Sequence, residues 1–109
     1  MTDTLKVLGQ AAPNATTPTD LYTVPAATSA VCSTVIVCNR GSAETTFRIS
    51  VAVAGAADEA KQYLYYDVPI SGNDSFAATL GIELATTDKI RVYAGNANLS
   101  FSAFGIEVT

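Results

Sequence analysis

Apolar and polar residues alternate one by one in several short runs, and this limits what the chain can fold into more than any other feature. Between Thr46 and Val53, the apolar residues Phe47, Ile49, Val51 and Val53 are separated by Thr46, Arg48, Ser50 and Ala52. A period of two sends alternate side chains to opposite faces of an extended backbone, so the run predicts a strand with one buried face. Lys89–Tyr93 repeats the pattern. Ala30–Cys38 is β-branched and apolar on both faces toward its end, as expected for a strand crossing a sandwich core. Further strands are predicted at Leu21–Val24 (ending at Pro25), Gln62–Val68 (stopped by Pro69), Ser75–Leu80 and from Leu99 to Val108. In the last, the apolar parity shifts at Gly105, which predicts a bulge or bend there.

About seven short strands separated by Gly, Pro, Asn and Asp predict an all-β fold: a single-domain antiparallel β-sandwich, jelly-roll-like. The 109 residues leave room for one core. Asn39-Arg40-Gly41-Ser42 reads as the turn of a hairpin between the Ala30 and Thr46 strands. Ala54–Lys61 favours helix by composition but has no apolar stripe to bury, so it reads as a loop holding at most one helical turn. Residues 1–20 contain Pro13 and Pro18 and are expected to form an extended N-terminal arm ahead of a sandwich domain at 21–109. Leu5, Val7 and Leu8 would then lie on a neighbouring subunit; the competing reading makes them a first edge strand of their own domain.

Chemistry is sparse. The chain has no histidine, which removes Ser-His and Cys-His nucleophile pairs and the commonest metal ligand. Cys32 and Cys38 would stand roughly 20 Å apart along one strand, beyond the ~7 Å reach of a disulfide. Their even spacing predicts one shared face and burial as small hydrophobes. No glycine-rich phosphate loop, calcium loop or zinc set is present, so no metal and no cofactor is expected. With a net charge of −4 and scattered basic residues, nucleic acid is not an expected partner. No run is long and apolar enough to span a bilayer, and no signal pattern opens the chain, so a membrane is not expected either. Synthesis in a reducing cytoplasm is.

Two groups remain as candidate adhesive residues. One is Leu5, Val7 and Leu8. The other is Tyr63, Tyr65 and Tyr66, which alternation divides into Tyr63 and Tyr65 on one face and Leu64 and Tyr66 on the other; tyrosine combines large contact area with a polar tip. Lys89, Arg91 and Tyr93 share a face that reads as solvated.

Leu21-Tyr22-Thr23-Val24-Pro25-Ala26, Val35-Ile36-Val37-Cys38-Asn39-Arg40-Gly41, Phe47-Arg48-Ile49-Ser50-Val51-Ala52, Tyr65-Tyr66-Asp67-Val68-Pro69-Ile70 and Ile90-Arg91-Val92-Tyr93 together resemble a family of small structural proteins of tailed bacteriophages. The similarity runs from about Leu5 to Val108 and rests on strand and turn signatures. It implies a virion component without catalytic residues: a capsid cement or decoration protein, or a tail-associated piece. A cement protein would sit on the capsid surface, contact the major capsid protein and assemble with itself; a homotrimer fits quasi-threefold positions. The alternatives are a tail or fibre module that recognises host glycan through loop residues such as Tyr93 or Asn96, and a small wall hydrolase using Asp58 or Glu59.

Overall fold

The computed structural model describes residues 2–109. Eight strands form: β1 (Asp3–Ala11), β2 (Thr19–Thr23), β3 (Ser29–Asn39), β4 (Thr45–Ala52), β5 (Tyr63–Ile70), β6 (Ser75–Leu84), β7 (Lys89–Ala94) and β8 (Leu99–Val108). Every predicted strand is present. They make two antiparallel four-stranded sheets, sheet I in the order β1-β8-β3-β6 and sheet II in the order β2-β7-β4-β5. First pairs with last, second with seventh, third with sixth and fourth with fifth, so the chain is one long hairpin rolled into a sandwich. That is jelly-roll topology. Ala54–Lys61 holds two single 3₁₀ turns, Val53–Gly55 and Ala60–Gln62, joined by a loop.

The inner faces meet in one core, where Phe47, Ile49, Ile90, Val92, Val35, Val37, Leu99 and Phe101 are sealed from solvent. Phe47 is the aromatic centre, with ring centroids 5.4 Å from Phe76 and 6.4 Å from Phe101.

The expected hairpin between the third and fourth strands does not form, because β3 belongs to sheet I and β4 to sheet II. The turn at Asn39 carries the chain across the sandwich. Asn39, 1% exposed, is the pivot. Its Nδ2 donates to the carbonyls of Ala43 (2.9 Å), Ser71 (3.2 Å) and Ile70 (3.3 Å), and its Oδ1 accepts from the Gly41 amide at 3.0 Å. One buried side chain thus supplies hydrogen bonds to two crossing loops that have no sheet ladder to use.

Residues expected to stand away as an arm lie on their own domain. β1 pairs with β8 from Asp3↔Val108 to Ala11↔Phe101. The connector is held by the Thr16 amide bonding the Ala94 carbonyl at 2.8 Å, and Pro13 is buried. The residue-20 boundary falls inside β2, so the edge-strand reading of the first residues is the one realised within the chain. Pro13 and Pro18 break the ladder between β1 and β2 without detaching either strand.

A line of bulges crosses sheet I, and β8 is not among the bulged strands. Opposite Ala103–Gly105, the register slips at Leu8 in β1, at Ser33 in β3, and beyond that at Leu80–Gly81 in β6. Gly105 lies so close to β3 that a Cβ on it would sit 2.0 Å from the Val31 carbonyl oxygen. The parity shift seen in the sequence is therefore no bend. β8 stays regular, and its apolar residues change faces: Leu99, Phe101 and Ala103 point into the core, Phe104, Ile106 and Val108 away from it. The Ser33 bulge also separates the cysteines. Cys32 is buried, which pushes its thiol pKa up, whereas Cys38 is exposed on the other face. Shared burial of the two is overturned by that one extra residue. β5 likewise continues through Pro69 to Ile70; as an edge strand it has no outer partner to miss the proline N–H.

Candidate functional site

The candidate adhesive residues divide between opposite outer faces of the sandwich, and two of the six point inward. On sheet I, Leu5 (80% exposed) and Val7 (47%) face solvent, whereas the bulge rotates Leu8 into the core. Their cross-strand neighbours extend the apolar surface. Leu5 stands beside Ile106 and Ile106 beside Val31; Val7 stands beside Phe104. Val31 is itself 38% exposed. Leu5, Val7, Val31, Phe104 and Ile106 make an apolar patch across three adjacent strands at one end of the sheet, an unusual cluster for an exposed face. Thr34 and Thr79 continue the Phe104 row, and the next row along the same face runs through Gln10, Ser102, Ile36 and Ala77. Sequence reading missed Val31, Phe104 and Ile106 as surface residues; for Ile106 the reason is that a bulge at Gly105 would have returned it to the core.

The outer face of sheet II is charged and aromatic. Two register slips in β5, with Asp67 at φ 50°, undo simple alternation among the tyrosines. Tyr65 turns inward against Phe47 and Phe76, with centroids at 6.2 and 5.6 Å. Tyr63 and Tyr66 share the outer side and meet edge to face at 5.0 Å. The Arg48 guanidinium lies between Tyr66 (4.2 Å to the ring centre) and Tyr93 (4.1 Å), with Asp67 accepting its Nε at 2.7 Å. Asp67 holds the guanidinium pKa above its ordinary value. Beside it, Lys89 (2.8 Å) and Arg91 (3.1 Å) both bind Asp20, whose carboxyl is held below the ordinary range first by its Lys89 hydrogen bond. Arg91 also donates to Asp58 (3.2 Å), to Gly55 O (3.1 Å) and to Ala56 O, pinning the 53–62 loop over the sheet. Ser50 and Ala52 are buried beneath that loop.

An open groove of about 630 Å³, lined by Asp58, Glu59, Ala60, Tyr63 and Tyr66, runs along the loop. Its carboxylates are engaged, Asp58 by Arg91 and Glu59 by Lys61 at 3.3 Å. Tyr93 is capped by Arg48, and Asn96 Oδ1 accepts the Asn98 amide at 2.9 Å within the β7–β8 turn. Among the described residues no cluster of Cys, Asp or Glu could hold a metal ion, and no helix is long and apolar enough to cross a membrane.

The two sheets meet at one end through a polar link. Tyr22, on sheet II, sends its hydroxyl 2.5 Å to Glu107 on β8, and Lys6 reaches the other Glu107 oxygen at 3.2 Å. Burial, reinforced by Glu107, pushes the Tyr22 phenol far up, while its hydrogen bond and then Lys6 hold Glu107 down.

These features define the protein as a small jelly roll with one apolar and one charged, aromatic outer face. No protein-family model matches the chain, and no curated protein matches it.

Proposed function

We propose that the protein is a virion structural protein that cements a bacteriophage capsid, its sheet I face seated on the major capsid protein and copies arranged as a homotrimer about local threefold axes. The observation that supports this reading is the patch of Leu5, Val7, Val31, Phe104 and Ile106: apolar surface held in water is stabilised by covering it. Fold-level analogy points the same way, since jelly rolls are common among viral capsid and lectin domains. Particles lacking the protein should lose their DNA at lower temperature and under milder osmotic shock. The double variant Val7→Lys, Val31→Lys should keep its melting temperature but no longer sediment with capsids, while Tyr66→Ala on the opposite face should bind normally. Equal particle stability with and without the protein would end the cement reading.

The groove beside Tyr63 and Tyr66 supports a second reading, a tail or fibre module that recognises host glycan. That reading requires glycan binding by the isolated protein and its loss in Tyr66→Ala.

A further inference from the structure

Sheet I ends in β1, a strand with an open outer edge. The Thr2 amide donates to Thr109 O at 2.8 Å and the Thr109 amide returns to Thr2 O at 3.0 Å, a reciprocal hydrogen-bonded pair. From there the β1–β8 register runs without a slip to Val7↔Phe104. Thr4 and Lys6 therefore repeat the inward pairing, and the N–H and C=O groups of Asp3, Leu5 and Val7 point away from β8 into solvent. Natural sheets guard such edges with prolines, bulges, short strands or free lysines. Three of the four edge strands are guarded: β5 by Pro69 and two register slips, β2 by its five-residue length, β6 by its bulge. β1 has no proline and no bulge before Leu8, and its lysine, Lys6, is drawn down onto Glu107 at 3.2 Å.

We propose that two copies of the chain pair through β1, antiparallel about a twofold axis at Leu5, joining their first sheets into one eight-stranded sheet. In that register Leu5 exchanges two hydrogen bonds with Leu5 of the second copy, and each Asp3 exchanges two with Val7 across the axis. Every outward group from Asp3 to Val7 is used. Side chains agree with the backbone, since Lys6 falls opposite Thr4 and Asp3 opposite Val7, so no like charges face each other. Moving the axis to Lys6 would set the two lysines directly opposite at the closer, non-hydrogen-bonded spacing. Moving it to Thr4 would pair only Asp3 with Leu5 among the described residues. The Leu5 register also joins the exposed apolar rows: Val31, Ile106 and Leu5 of one copy continue into Leu5, Ile106 and Val31 of the other, across six strands. This contact is isologous and makes the free chain a dimer; the proposed trimer about a threefold axis uses a different surface and forms only on the capsid.

Sedimentation velocity and native mass spectrometry of the full chain over a concentration series should give twice the 11.3 kDa chain mass. Leu5→Pro removes an N–H that faces away from β8, so it should yield the single-chain mass with an unchanged far-ultraviolet circular dichroism spectrum. If that variant fails to fold, crosslinking decides. In a Cys38→Ser background, Leu5→Cys should form a disulfide-linked dimer on mild oxidation, because paired Cα atoms would stand about 5.5 Å apart. Thr2→Cys should not, because its two copies would lie about 20 Å apart along the strands. A monomer throughout the series, an oligomer whose mass folded Leu5→Pro leaves unchanged, or Leu5→Cys that does not crosslink would overturn the pairing. Capsid binding by a strictly monomeric protein would remove this contact and leave the cement role standing.

Discussion

Replacing Asn39 by Asp tests whether the crossing loops depend on a buried amide. The two side chains have nearly the same volume, so Asn39→Asp opens no cavity and isolates the change from donor to acceptor. Asn39 Nδ2 faces the carbonyl oxygens of Ala43, Ile70 and Ser71. An ionised carboxylate would keep the Gly41 amide on one oxygen but set the other against acceptors only, at a site 1% exposed. The variant escapes by staying protonated when folded, which restores one donor. Holding a proton at pH 7 on a group that ionises near 3.9 when unfolded costs about 4 kcal/mol, close to the ~3–5 kcal/mol for a buried charge left unpaired. The sign follows. The folded-state pKa is raised, so the folded chain binds more protons than the unfolded one and stability falls as pH rises above about 4. Below that, only the second N–H is missing, at about 1 kcal/mol. Thermal melts should place Asn39→Asp about 15–20 °C below the wild type at pH 7 and only about 5 °C below it at pH 3. Asn39→Ala, which lacks a titrating group, should lose a similar amount at both. An equal deficit for Asn39→Asp at pH 3 and pH 7 would refute the charge argument, and no deficit at either would show that the loops cross without this residue.

Two further outcomes follow from close contacts in sheet I. Gly105→Ala should cost about 3 kcal/mol or more, because its Cβ would stand 2.0 Å from the Val31 carbonyl oxygen and neither strand can give way without opening the β3–β8 ladder; chemical denaturation measures the loss, and an unchanged midpoint would contradict the close approach. Tyr22 keeps its proton in the folded chain because of burial and its bond to Glu107. Its contribution is thus fully present below about pH 10 and is lost as pH rises beyond it, so Tyr22→Phe should show a shallower alkaline decline in stability than the wild type, and parallel declines would exclude the link.

Strand positions were legible because alternation records burial directly, as at Phe47, Ile49 and Val51. What alternation does not record is a single extra residue. Ser33 looks like any polar position of its strand, yet its bulge decides that Cys38 faces outward while Cys32 does not. In β5 the slips around Leu64 and Asp67 bring Tyr63 and Tyr66 together and send Tyr65 inward, a grouping opposite to the one the spacing implies. Phe104, Ile106 and Val108 carried the converse signal. Their shifted parity was visible, but a regular strand with an apolar outer face and a bulged strand with a buried one read alike. The choice between them depended on where β1 and β3, distant in sequence, would slip. Sheet membership was hidden for the same reason: the turn at Asn39 suits a hairpin locally, and only the pairing of β3 with β8 and β6 removes it to the other sheet.

Rolling the first strand onto the last has a consequence for biosynthesis. Until Leu99–Val108 has been made, β1 has no partner in its sheet, because β8 stands between β1 and β3, whereas β3 can already pair with β6. Contacts so distant along the chain make folding slow. β1 therefore waits for β8, and the earliest of the eight strands to be made is the last to find shelter.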